Sequence, residues 1–247
     1  MRFFQKIAIV TGGSTGIGKE TIAKLNDEKA KVYNLDIVKV EDLNSTFIKC
    51  DVSNYNEVQN AVKSVFEKEG KIDVLFANAG VHLFANIEET SIDEFEKVLS
   101  VNIKGMYYIL KEVIPIMKEQ NKGSILLMGS DQSFVGKGKS SVYGMTKGAV
   151  AQLTKSTAID YADYNIKVNC ICPGTIDTPL LDKAVDKFQS LTGLENDEIK
   201  KLLEEAQPIK RIAEPKEIAS TACYLLSDEN SFMTGALVPV DGGYTCQ

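Results

Sequence analysis

Seven short, nearly unbroken apolar runs punctuate the chain, at Ile7–Val10, Lys31–Leu35, Thr46–Cys50, Val74–Ala77, Ser124–Met128, Lys167–Cys172 and Leu237–Val240. A strand with one wet face alternates apolar and polar residues, whereas a strand buried on both faces reads as a continuous run. These runs therefore predict strands of a parallel sheet. Between them, apolar residues recur at the helical period over Gly18–Asn26, Tyr55–Glu69, Ser91–Glu119, Tyr143–Tyr161 and Pro215–Leu226. Asp51-Val-Ser-Asn54 and Thr90-Ser-Ile-Asp93 supply capping side chains ahead of two of these helices. Parallel neighbours need crossover connections, so the alternation implies an α/β doubly wound sheet of about seven strands with helices on both faces. No repeat, low-complexity segment or linker divides residues 1–247, and the chain reads as a single domain.

One stretch departs from this rhythm. From Thr175 to Glu214 there is no strand, only short helices predicted at Leu180–Phe188 and Glu195–Ala206. A long excursion after a strand's carboxyl end is expected to act as a substrate loop or lid, against the plainer reading of a packed helical insertion.

Composition narrows the class. The chain is 44% hydrophobic and 25% charged, with a net charge of −6. That balance argues against nucleic acid as a partner, because phosphate binding needs a basic face. No apolar run approaches the roughly 20 residues that span a bilayer, and the apolar stretch near the amino terminus is too short for a signal-peptide core. The five cysteines lack metal-ligand spacing, and Cys170 and Cys172 alternate onto one face of a strand. Reduced, buried thiols in a cytoplasmic protein with no bound metal are expected. The lone histidine, His82, offers neither a metal cluster nor a serine–histidine triad.

Candidate chemistry begins with Tyr143 and Lys147, four residues apart and therefore on one helix face. An adjacent ammonium favours the phenolate and is expected to lower the tyrosine pKa into a range useful for proton transfer. Tyr107 and Lys111 share that spacing, but there the pattern reads as an ordinary helix surface. What distinguishes Tyr143 is Ser130, which ends the run Ser124-Ile-Leu-Leu-Met-Gly-Ser130 and so sits at a strand's carboxyl end, where ligands bind in open α/β sheets.

A second site follows the first strand. Thr11-Gly-Gly-Ser-Thr-Gly-Ile-Gly18 leads into a helix, with glycines at 12, 16 and 18 that allow close backbone approach to a pyrophosphate. The spacing differs from the G-x-G-x-x-G fingerprint. The second strand closes on Asp36, a carboxylate placed to accept from both ribose hydroxyls of NAD and to repel the 2′-phosphate of NADP. Thr15 stands where a basic residue would grip that phosphate, and Lys39 is the nearby cation. These residues point to NAD.

The set resembles the short-chain dehydrogenase/reductase family in its single-domain branch of roughly 250 residues, over nearly the whole chain. The resemblance implies a Rossmann-type sheet and a coenzyme site formed by Gly12, Ser14, Thr15, Gly16, Ile17, Gly18, Asp36 and Ile37. It adds Cys50, Asp51 and Val52 at the adenine, and Asn78, Ala79 and Gly80 from Phe76-Ala-Asn-Ala-Gly80. Pro173, Gly174, Thr175, Ile176 and Thr178 of Pro-Gly-x-x-x-Thr would hold the nicotinamide amide, with Tyr143 and Lys147 completing the set. It further implies catalysis by Asn102, Ser130, Tyr143 and Lys147: the tyrosine as acid/base, the lysine on the ribose, the serine on the substrate oxygen, and the asparagine positioning a relay water. Ala77 replaces the first asparagine of the family's Asn-Asn-Ala-Gly element, and Asp131 and Gln132 stand after Ser130 where a small serine is common.

The expected reaction is hydride transfer between NAD and a secondary alcohol or ketone. Asp131, Gln132, Ser130, Tyr143 and His82 are candidate substrate contacts, although His82 also fits a rim position. Lys137 and Lys139 would attract a carboxylate, so a small hydroxy acid, sugar or polyol is the expected substrate. A 3-oxoacyl-(acyl carrier protein) reductase and a non-catalytic NAD-binding sensor or scaffold are the alternatives. The helices at 91–119 and 143–161 resemble family helices that pair between subunits, and imply a homo-oligomer, a tetramer ahead of a dimer.

Overall fold

The computed structural model describes residues 1–41 and 43–247. Seven strands form one parallel sheet: β1 (Ile7–Thr11), β2 (Lys31–Asp36), β3 (Thr46–Lys49), β4 (Val74–Ala77), β5 (Gly123–Met128), β6 (Ile166–Pro173) and β7 (Leu237–Val240). Their spatial order is β3-β2-β1-β4-β5-β6-β7. The order reverses between β1 and β4, so their carboxyl ends open a crevice of the kind that binds ligands in such sheets.

Because both faces are covered, successive residues of one strand enter different cores. Ile7 and Ile9 of β1 join an apolar cluster with Val58, Val62, Val113 and Val150, from the helices on one face. Ala8 and Val10 join Ile22, Leu25, Ile218 and Leu226 on the other. Those helices are α1 (Gly16–Asp27), α2 (Tyr55–Glu69), α3 (Ile92–Leu99), α4 (Met106–Glu119), α5 (Ser141–Tyr161) and α8 (Pro215–Leu226). The expected caps lie within the expected tetrapeptides. Asn54 accepts from the amides of Asn56 and Glu57, and Ser91 forms a reciprocal capping box with Glu94.

The helix expected over Ser91–Glu119 is not regular. A π-turn at Ser100–Gly105 separates α3 from α4. It adds a residue to the helical winding, a device found often at functional sites. Two contacts locate it. Asn102 is held by the loop after β4, and Gly105 lies so near Val52 that a Cβ there would come within 2.8 Å of its side chain.

Between β6 and α8 the chain carries α6 (Pro179–Thr192), which extends beyond the helix expected at Leu180–Phe188, and α7 (Asn196–Glu205), which lies within the one expected at Glu195–Ala206. An isolated parallel bridge between Ile176 and Ala213 closes the neck of this excursion. Its far side docks through Phe188, whose ring packs edge-on against Phe84 with centroids 5.2 Å apart. Among the described residues no helix is long and apolar enough to cross a membrane, and no cluster of three metal-ligating side chains occurs. All five cysteines are free; four are buried, but Cys246 is exposed, contrary to the expectation of uniformly buried thiols.

Candidate active site

Ser130 follows β5 directly, and α5 delivers Tyr143 and Lys147 to the same place. Both side chains are almost wholly enclosed, Tyr143 at 8% and Lys147 at 4% exposure. The Lys147 ammonium donates to the carbonyl of Met128 at 2.8 Å and lies 5.4 Å from the centre of the Tyr143 ring. A Cβ on Gly80 would stand 3.9 Å from that ammonium, so the end of β4 faces the pair across the crevice. Tyr107, of the look-alike pair, points outward at 52% exposure.

One expectation about this pair fails. Burial pushes the Tyr143 phenol well above its ordinary range, and neighbouring Asp131 adds to the effect, while Ser130 opposes it. Lys147 instead is brought down to about 8 by burial. Desolvation disfavours both charged forms and outweighs their mutual attraction, because the ammonium is turned to Met128 rather than to the phenol oxygen. At neutral pH the dyad is a protonated phenol beside a protonated amine.

Asn102 is engaged by its whole side chain. Its Oδ1 accepts from Val81 N at 2.9 Å, and its Nδ2 donates to Val81 O at 2.9 Å and to Thr146 Oγ1 at 3.1 Å. The asparagine thereby ties the loop after β4 to α5, one residue before Lys147.

The segment after Ser130, expected to offer polar groups to a substrate, is engaged largely with itself. Asp131 is 2% exposed. It accepts from Ser130 Oγ at 2.8 Å and pairs with Lys137 Nζ at 2.5 Å. Gln132 is 9% exposed, and its Oε1 is buried without a hydrogen-bond partner. Lys139 is paired with Glu89, so neither lysine is left to attract a carboxylate. His82 lies in the site rather than at its rim, with its ring 4.5 Å from that of Tyr143 and tilted by 58°. Burial, and the positive charges of Lys137 and Lys147, lower its pKa to about 4, so it is neutral at physiological pH.

The glycine turn after β1 is braced from beneath. Gly12 takes φ +63°, and a Cβ there would lie 2.8 Å from the Ala79 backbone. Asn78 Nδ2 donates to the carbonyls of Thr11 and Gly12, while Thr11 Oγ1 accepts from the amides of Asn78 and Ala79. Asn34 accepts from Gly13 N and donates to Ser14 Oγ. Thr11 opens the glycine motif but was given no role of its own, and Asn34 was not singled out; a polar residue within the second apolar run was its signal. Ser14 is buried, its hydroxyl donating to the Val38 carbonyl and accepting from Asn34. Asp36 accepts from Ser14 N at 2.9 Å and Val38 N at 3.1 Å, with Ile37 and Val38 exposed beside it. Lys39 is drawn to Glu41 at 3.5 Å.

Whether this cradle suits a dinucleotide can be judged from α1. Thr15 gives its helix no side-chain cap, in contrast to α2, α3 and α6, so the first-turn amides are left for a ligand. A Cβ on Gly16 would stand 3.1 Å from the Thr178 methyl, which brings the segment Pro173, Gly174, Thr175, Ile176 and Thr178 over the glycine turn and Ile17. Thr178 itself caps α6. The donor set fits a pyrophosphate. Two expected contacts are limited to the backbone, because the Cys50 thiol and the Val52 side chain belong to the apolar core. Asp51 accepts from Ser53 N and Oγ through Oδ1 and keeps Oδ2 for another donor.

Comparison with known proteins bears on this arrangement. The family model described as Enoyl-(Acyl carrier protein) reductase matches residues 12–245. Levodione reductase of Leifsonia aquatica is 33% identical over 98% of this chain and 95% of its own length. The structure of aldohexose dehydrogenase from Thermoplasma acidophilum superposes with a TM-score of 0.93 at 36% identity, covering 99% of this chain and 95% of that one. The chain belongs to the short-chain dehydrogenase/reductase family. It is an oxidoreductase. Members of the family bind a nicotinamide coenzyme. A 3-ketoacyl-(acyl-carrier-protein) reductase from Brucella melitensis, complexed with NADH, has a TM-score of 0.87 at 28% identity, covering 98% and 99% of the two chains.

Proposed function

We propose that this short-chain dehydrogenase/reductase transfers hydride between NAD and a small, uncharged, hydroxyl-rich secondary alcohol or its ketone. The convergence of Ser130, Tyr143 and Lys147 at the carboxyl end of β5, opposite the braced glycine turn, carries the reading. A bound nicotinamide coenzyme supplies the carbon that accepts or gives the hydride. In reduction the Tyr143 phenol gives its proton to the ketone oxygen. In oxidation that proton first leaves to solvent through the relay beside Lys147, and the phenolate then takes the alcohol proton. Ser130 holds the substrate oxygen and steadies charge that develops on it. Lys147 keeps its ammonium at neutral pH, favours the phenolate against burial, and binds the nicotinamide ribose. Asn102 fixes the loop and helix between which a relay water leads from Lys147 to solvent.

Asp36 supports NAD as the coenzyme. Its carboxylate is fixed by two backbone amides, and Lys39 is turned toward Glu41 rather than toward the carboxylate. Substrate polarity is argued from the pocket wall. The pairing of Lys137 and Lys139 removes the reason to expect a hydroxy acid, and the unpartnered Gln132 Oε1 favours a hydroxyl donor. A sugar or polyol meets that requirement, and the likeness to an aldohexose dehydrogenase supports it. The carrier-protein alternative needs a basic docking surface, which two neutralised lysines beside the pocket do not provide.

Exposed apolar side chains on α4 and α5, including Tyr107, Met145 and Ile159, support a homo-oligomer built through these helices, a tetramer ahead of a dimer. Free buried thiols support a reducing, cytoplasmic setting. The test of the catalytic reading is Tyr143→Phe, which should bind NAD normally and lose turnover. Retained wild-type turnover would remove Tyr143 from the proton path and with it the proposed mechanism.

A further inference from the structure

The ion pair behind Ser130, a buried carboxylate and a partly exposed ammonium, has no part in the reaction as described so far. Asp131 is enclosed, yet both its oxygens are used: Oδ1 accepts the Ser130 hydroxyl proton and Oδ2 meets the Lys137 ammonium. Ser130 Oγ also accepts from Gln132 N at 3.2 Å. A serine hydroxyl has one proton to give. In the free protein that proton is directed at Asp131, so the hydroxyl steadies charge on the phenolate or on a substrate oxygen only by turning from the carboxylate. Lys137 is held in turn by the Tyr244 ring, 4.3 Å from its centroid, near the carboxyl-terminal end of the chain.

We propose that Asp131 and Lys137 are a positioning pair acting on Tyr143 through Ser130, the carboxylate orienting the serine proton and the ammonium limiting how strongly that negative charge holds the tyrosine proton. The inference rests on the reading of Tyr143 as the proton carrier. A carboxylate one hydrogen bond beyond Ser130 disfavours the phenolate, and the ammonium bonded to that carboxylate offsets it. The two members of the pair therefore act on the tyrosine with opposite sign. Burial strengthens the effect of the carboxylate, whereas the partly exposed ammonium is screened to some extent by solvent.

Other charged or titratable groups face Tyr143 and must be told apart from the pair. His82 from the loop after β4 is neutral across the working range. Lys147 lies one turn along α5. Cys172, on β6, raises the phenol when ionised, and its own thiol is lowered by the hydrogen bond from Cys170, 3.7 Å away. None of these is bonded to Ser130 Oγ, so opposite shifts from the two members of one pair are a signature that they do not produce.

The experiment is the pH dependence of kcat/KM, with the tyrosine titration also read directly as tyrosinate absorbance, each protein corrected by its Tyr143→Phe counterpart. Asp131→Asn keeps an acceptor for Ser130 but removes the charge; its limb should move to lower pH by about half a unit or more. Lys137→Gln leaves the carboxylate unopposed, and its limb should move to higher pH by a similar amount. The double variant should return close to wild type. Loss of rate in both single variants with the limb unmoved, or shifts in the same direction, would overturn the inference and leave the pair as a support of the loop wall. The absorbance titration decides the matter even where turnover is too low to follow. Wild-type turnover in Tyr143→Phe would instead overturn the catalytic reading beneath it.

Discussion

Replacing Asp36 by asparagine should change coenzyme choice more than it changes the fold. In the coenzyme site proposed above, this partly exposed carboxylate beside the glycine turn would meet the adenosine ribose. A pair of like unit charges at about 4 Å, with an effective dielectric near 20, repels by about 4 kcal/mol. Solvent screening at a partly exposed site reduces this, and a residual of about 1.4 to 2.8 kcal/mol corresponds to a preference of about tenfold to a hundredfold for NAD. Asparagine keeps one acceptor for the amides of Ser14 or Val38, so the turn should persist. Alanine loses both hydrogen bonds, worth about 1 kcal/mol each, and should loosen the turn as well. The assay is the ratio of kcat/KM for NAD over NADP in wild type, Asp36→Asn and Asp36→Ala. The asparagine variant should bring the ratio down by about tenfold or more, chiefly through better use of NADP. An unchanged ratio would show that the coenzyme's 2′ position does not lie near Asp36, and the NAD assignment would lose its basis.

Further outcomes follow from other contacts. Gly18→Ala places a Cβ 2.3 Å from the Gly12 carbonyl, so coenzyme affinity should fall at least about tenfold and stability by about 1–3 kcal/mol, read by titration calorimetry and denaturant unfolding. For Lys147, burial lowers the folded-state pKa to about 8 from 10.5. The unfolded chain therefore binds more protons between those values, so wild-type stability from this group rises across that window, by on the order of 3 kcal/mol. The difference in unfolding free energy between wild type and Lys147→Met should follow that rise; a difference flat with pH would contradict the lowered value. Gln132→Ala should raise KM for polyhydroxylated substrates several-fold while leaving a plain secondary alcohol nearly unaffected. Equal effects on both would place Gln132 outside substrate recognition.

The sheet was legible because its inner strands are buried on both faces and so leave continuous apolar runs. The half-buried edge strands β3 and β7 keep enough apolar residues to be read with them. The helix caps at Asn54 and Ser91 were legible for a similar reason, since capping is a local matter of a few residues. The site was readable as a set of positions but not as an electrostatic state. Tyr143 and Lys147 are neighbours by helix geometry, whereas their pKa directions are set first by burial, which exists only in the packed fold. The π-turn at Ser100–Gly105 was hidden because it depends on Asn102 gripping Val81, a contact made only once β4 and the helix are packed. Asp131 read as a candidate substrate contact, and its pairing with Lys137 was hidden because that lysine is brought back by the fold of a glycine-containing loop. His82 gave no sign of its contact with Tyr143 for the same reason, since nothing in its neighbours along the chain fixes where the ring points.

The most direct measurement is NADH formation from NAD across sugars, polyols, hydroxy acids and plain secondary alcohols, with Tyr143→Phe alongside. Turnover concentrated in the uncharged polyhydroxylated compounds and abolished in the variant is the expected result. Turnover confined to hydroxy acids, or absent from the whole panel although NAD binds, would contradict the proposed substrate class.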